Sequence, residues 1–354
     1  MASLRCTLPF LTLFLPLLLP LAAANVTISG SPSVMGNGSY PRATYINDKS
    51  LLGCYQGMQD GILSIQTVRS TDNGTTWSPW STVLSENQTE YTPNNCYLHQ
   101  LPDSDRILLA FRNPKRDASG KNYIHHIISV YSSDDNGKSW ANLSTVATTN
   151  TTGLGLWEPF MMDGLDGDLL LFFSRETRTD GKDQNSILVR SSDAGKTWGK
   201  ELTISGGDVQ KRDGMLGAAR LAEGSESMIA VFESLGPNTG ITSVTSDDDG
   251  KIWNKPRGKV YASNEGKITE AAPQVVLVGK TLVASFSTKE DNFDSEHFDV
   301  KVVTSKDGGK TWGEKTTVHK ECHWAGEVTV DDNSLLVLCD NKGVVVAQRV
   351  EISE

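Results

Sequence analysis

Glu158 stands in the run Leu154-Gly155-Leu156-Trp157-Glu158-Pro159-Phe160, and Glu233 closes the run Met228-Ile229-Ala230-Val231-Phe232. A carboxyl in apolar surroundings loses hydration, which favours its neutral form. Two such carboxyls brought to one place can divide labour. One, kept protonated, releases a leaving oxygen; the other, ionised, attacks or activates water. That is the chemistry of glycosidic bond cleavage. The competing reading is that either glutamate only pairs with a neighbouring arginine.

Other constellations are empty. The histidines at 99, 125, 126, 297, 319 and 323 form no HExxH and no metal set, and neither a Gly-x-Ser-x-Gly elbow nor a phosphate loop occurs. No cofactor or metal is therefore expected. With 43 Asp and Glu against 33 Lys and Arg, a polyanion such as nucleic acid is a poor partner. The acid-rich stretch from Lys289 to Asp294 reads as a solvated loop.

The elements that would position the glutamates come from an internal repeat. Ser-x-Asp-x-Gly-x-Thr-Trp occurs five times, at Ser70 to Trp77, Ser133 to Trp140, Ser191 to Trp198, Ser246 to Trp253 and Ser305 to Trp312. Only the fourth copy departs, with Ile252 where the others have Thr or Ser. This Asp box is a hairpin turn: the Asp accepts backbone N–H bonds, the Gly takes a left-handed conformation, and the Trp folds back as an apolar plug. Its central Asp residues recur in steps of 63, 58, 55 and 59, so the residues from 25 to 354 hold about six units. A strand–turn–strand hairpin precedes each box and occurs once more after the last: Pro41 to Gln56, Cys96 to Arg112, Pro159 to Arg175, Ala218 to Glu233, Pro273 to Ser287 and Gly326 to Asp340. The expected fold is all-β, a six-bladed β-propeller with five Asp-box repeats. Its sixth blade would close with Val344 to Ile352 and an outer strand near Val26 to Ile28, leaving no open edge.

Because the four strands of a blade alternate in direction, strand-one starts and strand-two ends share one face, and the Asp boxes lie on the other. That sorting delivers Glu158 and Glu233 to one mouth from adjacent blades. With them come Arg42, Arg112, Asn113, Trp157, Arg175, Arg220 and Trp324 as candidate substrate-binding residues. Arg42, Arg112 and Arg175 could orient hydroxyls or carboxylates of a ligand, or hold a glutamate ionised. Trp157 and Trp324 could be platforms for sugar rings or ordinary packing.

The chain opens with Arg5 and an apolar run from Leu8 to Leu21, followed by Ala22-Ala23-Ala24. The run falls short of the roughly twenty residues a membrane span needs, so residues 1–24 read as a cleaved signal peptide and 25–354 as a secreted, extracellular propeller domain. Six Asn-x-Ser/Thr sequons, at Asn25, Asn37, Asn73, Asn87, Asn142 and Asn150, fit a glycoprotein carrying its glycans on one side. Cys6 leaves with the signal peptide. Cys54, Cys96, Cys322 and Cys339 allow three pairings; Cys54 with Cys96 and Cys322 with Cys339 are favoured, being nearest in sequence and on neighbouring or identical blades. With no exposed apolar stripe, a monomer is expected.

The five Asp boxes resemble those of the sialidase superfamily over the whole of 25–354. Within it, Trp157-Glu158-Pro159-Phe160, Gly214-Met215-Leu216-Gly217-Ala218-Ala219-Arg220-Leu221, Val231-Phe232-Glu233 and Ala110-Phe111-Arg112-Asn113 look most like family 93 glycoside hydrolases, the exo-1,5-α-L-arabinanases. The resemblance implies a retaining enzyme that releases arabinobiose from linear arabinan without a metal, with Glu158 as acid/base and Glu233 as nucleophile. A true sialidase is the competitor. It would need three arginines about a substrate carboxylate and a Tyr nucleophile paired with a Glu; Tyr40-Pro41-Arg42-Ala43 only loosely echoes its first-blade motif. Where that Tyr is expected, this chain has Cys322-His323-Trp324-Ala325-Gly326. A third reading is a carbohydrate-binding propeller without catalysis.

Overall fold

The computed structural model describes residues 24–353 apart from 151–152, 236–239, 264–269, 292–295 and 314. Of residues 1–24, expected to be a signal peptide, 1–23 lie outside the described residues. No described helix is long and apolar enough to cross a membrane.

Six antiparallel blades surround one axis, each beginning with its innermost strand. Blade 1 comprises Ser39–Tyr45, Leu51–Gln59, Ile62–Ser70 and Ser78–Asn87. Blade 2 comprises Asn94–Gln100, Ile107–Arg112, Tyr123–Ser133 and Ala141–Thr149, with the short Lys115–Arg116 added. Blade 3 runs Leu156–Asp163, Leu169–Glu176, Gln184–Ser191 and Leu202–Ser205; blade 4 runs Arg212–Arg220, Met228–Leu235, Gly240–Ser246 and Asn254–Tyr261. Blade 5 is Glu270–Val278, Thr281–Thr288, Asp299–Ser305 and Thr316–His319. Blade 6 is His323–Asp331, Ser334–Asn341 and Val344–Ser353, closed by Asn25–Asn37 from the other end of the chain. The expected six-bladed ring and its closure hold.

Second strands read as unbroken apolar runs because both of their faces are covered. Leu169–Glu176, for instance, buries every residue from Leu169 to Ser174. Neighbouring blades then share cores: Phe173 and Met161 pack with Leu108 and Ala110 of blade 2, while Phe172 and Phe160 pack with Ala230 and Phe232 of blade 4.

The Asp boxes have the inferred chemistry. In the first, Ser70 donates to Asp72 Oδ1, Thr76 N and Oγ1 donate to the two oxygens of Asp72 at 2.9 and 2.6 Å, and Trp77 Nε1 donates to Gly74 O. The fourth keeps the backbone bond from Ile252 N to Asp248 Oδ1 but lacks the hydroxyl bond, and Ile252 is 68 % exposed. Both favoured disulfides are present: Cys54–Cys96 ties blade 1 to blade 2, and Cys322–Cys339 ties the residue just ahead of the first strand of blade 6 to its second strand. Of the stretch read as a solvated loop, Asp291 is exposed as expected and 292–294 lie outside the described residues; Glu290 departs, its side chain only 6 % exposed and bonded to Lys301, Lys315 and Tyr261.

Candidate active site

One local device recurs in all six blades. The ladder between the first two strands slips by a bulge between Ser39 and Arg42, Asn94 and Tyr97, Trp157 and Phe160, Gly214 and Gly217, Ala271 and Gln274, and His323 and Gly326. In each bulge the first inserted residue has positive φ: Tyr40, Asn95, Glu158, Met215, Ala272 and Trp324, at 57, 52, 41, 53, 51 and 60°. A non-glycine residue there costs on the order of 1–3 kcal/mol, so surrounding packing must enforce it. Tyr40, Met215 and Ala272 do form one buried cluster, with Trp324 against it. The bulges re-aim side chains that a regular strand would have directed between blades. Three are followed by Pro41, Pro159 and Pro273, which need no ladder hydrogen bond at that point.

Glu158 is therefore a bulge residue of blade 3, 8 % exposed, with Oε2 lacking a hydrogen-bond partner among the described residues. Burial first, and then the charge of Glu233, push its carboxyl up to about 8, against the opposing pull of Arg112 and Arg212. Glu233 reaches the same place from the second strand of blade 4, opposite Gly214. Burial raises its pKa too, but the N–H of bulge residue Ala272 donates to its Oε2 at 2.9 Å, and that bond with the charge of Arg212 pulls the other way. The two carboxyls thus sit in one electrostatic neighbourhood with unequal support for ionisation.

Arg112 is buried, lies with its guanidinium 3.6 Å from the Trp157 ring centroid, and leaves Nε and Nη2 without partners among the described residues. One face of Trp157 is thereby occupied. Asn113 follows Arg112 at the end of the second strand of blade 2, its Oδ1 buried and unpartnered. Arg42 sits just below the bulges, stacked on Tyr40 at 4.0 Å and donating from Nη1 to the carbonyls of Pro41 and Trp324. Glycine is required beside it, because a Cβ on Gly326 would come within 2.9 Å of that same Nη1. Trp324 stacks on His323, which stacks on Phe298, each pair 4.0 Å between centroids.

Two expected site residues are elsewhere. Arg220 ends the first strand of blade 4 and donates to Asp249 of the fourth Asp box at 2.6 Å and to the carbonyls of Asp163 and Ser225. It lines a separate cavity of about 370 Å³ with Asp163, Glu223 and the buried Glu327. Its misplacement has a simple cause: the strand begins at Arg212, six residues before the Ala218 at which the hairpin was expected to start. Arg175 pairs with Glu201, just ahead of the outermost strand of its own blade, instead of with either glutamate.

Sequence reasoning missed Tyr40 and Arg212. The buried Tyr40 hydroxyl lies within electrostatic reach of Arg42, Glu158 and Glu233, and burial raises its pKa. Arg212 acts on both glutamates. The usable signal was the in-register recurrence of Pro41, Pro159 and Pro273, which marks the bulge in three blades.

No known family profile matches the chain, and no curated protein matches it in sequence. Solved structures match in fold. The GH93 α-L-arabinofuranosidase of Fusarium graminearum, solved with arabinobiose, is 22 % identical with a TM-score of 0.73 over 91 % of this chain and 98 % of that one. The α-L-arabinanase of Penicillium chrysogenum, also solved with arabinobiose, is 18 % identical with a TM-score of 0.71 over 92 % and 99 %. The NanB sialidase of Streptococcus pneumoniae is 12 % identical with a TM-score of 0.61 over 94 % and 70 %. The chain has the sialidase-like propeller fold that these GH93 enzymes share.

Proposed function

We propose that this protein is a secreted retaining glycoside hydrolase that releases arabinobiose from linear arabinan, with Glu158 as acid/base and Glu233 as nucleophile. The observation that carries the proposal is the unequal pair in the mouth. Glu158 is buried on an unpartnered oxygen and holds its proton up to about pH 8, while Glu233 keeps a backbone N–H and the charge of Arg212 to favour its anion. Protonated Glu158 would donate to the leaving oxygen as Glu233 attacks the anomeric carbon. Ionised Glu158 would then take a proton from the water that frees the product. The proton and the electron pair each return to where they began. That two GH93 neighbours were solved with arabinobiose supports this choice of sugar.

The alternative is a sialidase-type hydrolase. It is favoured by the presence of Tyr40 beside both glutamates with Arg42, Arg112 and Arg212 nearby. Against it, Arg212 is already engaged by Glu176 and Gly181, leaving only Arg42 and Arg112 with unpartnered donors where three arginines would be needed. Incubating wild type and Glu233→Gln with linear arabinan and with a sialyl reporter distinguishes the readings. Arabinobiose from wild type alone is expected. Release of sialic acid would favour the alternative, equal activity of the variant would remove Glu233 from the mechanism, and no release from either substrate would leave a binding propeller.

A further inference from the structure

The two glutamates belong to different blades, so something must fix one blade against the other. Among the described residues, blades 3 and 4 alone are joined by strand pairing: Gln184 pairs in parallel with Arg212, and Gln184 N donates to Lys211 O at 2.9 Å. Around that joint, Asp213 is fully buried and accepts from Ser205 of blade 3 at 2.6 Å, and from Ser234 and Arg257 of blade 4 at 2.8 Å each. Gly214, opposite Glu233, lies so close to Gln184 that a Cβ would sit 2.9 Å from its Oε1.

An ion pair closes the joint on the mouth side. Arg212 Nη1 donates to Glu176 Oε1 at 2.9 Å and to Gly181 O at 2.6 Å. The other oxygen of Glu176 accepts from Gly155 N at 2.7 Å, and Glu176 N donates to Gly155 O at 3.0 Å. Glu176 thus grips the chain three residues before Glu158, and Arg212 lies two residues before Gly214. We infer that the Arg212–Glu176 pair is the positioning couple of the site, locking the entry of blade 3 to that of blade 4 and so setting the Glu158 and Glu233 carboxyls at their working separation. A partly buried pair with this many fixed partners can hold geometry where a surface pair would not. Arg212 also biases both carboxyls toward the anion, alongside Arg112 on Glu158; Glu233 and Glu176 oppose it on Glu158. Tyr40 faces both carboxyls, and His126 lies within electrostatic reach of Glu176 and Arg112.

The inference rests on the hydrolase reading for its kinetic consequence but not for its electrostatic one. Two measurements on the full chain test it: the pH dependence of kcat and KM on arabinan, and ¹³C carboxyl titration of glutamate-labelled protein, which needs no turnover. For Arg212→Met, kcat should fall by about tenfold or more with KM changed less, and the titration midpoints of both glutamates should rise. Arg212→Lys should restore the midpoints but only part of kcat, because an ammonium cannot reproduce the planar fork. Glu176→Gln, nearly isosteric, guards against a misfolded Arg212→Met and should lower kcat while moving the Glu158 midpoint down. Wild-type inactivity on arabinan would count against the proposed function alone. Unmoved midpoints in Arg212→Met, or in Glu176→Gln should that variant alone fold, would overturn the inference, as would an unchanged kcat in an active background.

Discussion

The propeller is held together differently in its two halves. Blades 6, 1 and 2 contain both disulfides, the closure between the two ends of the chain, and all six sequon asparagines, every one of them exposed. Blades 3 and 4 contain neither disulfide nor sequon, but are fused into one eight-stranded sheet and carry both glutamates. A ring needs a covalent or topological clasp where its ends meet, since those blades would open first. Where two reacting groups must keep their distance, pairing of strand to strand and a partly buried ion pair fix positions more finely than a crosslink at the rim.

The largest effect expected from breaking this comparison falls on the half that carries the two glutamates. Glu158→Gln or Glu233→Gln should lower kcat on arabinan by about 10²–10⁴-fold with the thermal midpoint little changed or raised, because a buried carboxyl is replaced by a neutral amide. Initial rates and calorimetry on the same samples check both parts.

In the clasped half the order reverses. Removing the Cys54–Cys96 bond with paired Ser substitutions should cost about 2–5 kcal/mol of stability, the crosslink spanning 42 residues, while kcat of the surviving folded protein stays near wild type. Denaturant unfolding beside active-site titration would reveal a failure, namely kcat falling as far as stability.

A pH dependence sharpens the same contrast. Because Glu158 is raised to about 8 in the fold, its contribution to stability is fully present below the ordinary carboxyl range near 4.5 and is lost as pH rises toward 8. Glu158→Gln should flatten that decline, whereas the paired Cys54 and Cys96 substitutions should leave its shape unchanged. Activity should show a basic limb near pH 8, where Glu158 loses the proton it donates. Smallest of all, Ile252→Thr should restore the missing hydroxyl bond to Asp248 and stabilise blade 4 by about 0.5–1.5 kcal/mol, read as a small rise in melting temperature.

The fold was legible because its signal is local and repeated. Each Asp box carries its own turn chemistry within eight residues, and the six hairpins count the blades without any long-range information. Strand direction alone sent Glu158, Glu233, Trp157 and Arg112 to one mouth, although the stacking of Arg112 on Trp157 was not legible. Arg212 and Tyr40 were not, for a physical reason: the two-residue bulge displaces the start of every first strand from where alternation places it. That displacement hid Arg212 outside the expected strand of blade 4 and drew Arg220 into the site, although it serves the Asp-box end. Arg175 failed differently, since sequence order cannot reveal that Glu201 waits across the blade.

The central claim, that Glu158 and Glu233 form the acid/base and nucleophile of a retaining hydrolase, is tested most directly by azide rescue. Replacing Glu233 with Gly and supplying azide with an activated arabinoside should restore turnover and give a glycosyl azide of inverted anomeric configuration, read by proton NMR. The same treatment of Glu158→Gly should give the retained anomer. Azide products from neither variant, with wild type fully active on the same substrate, would contradict the account.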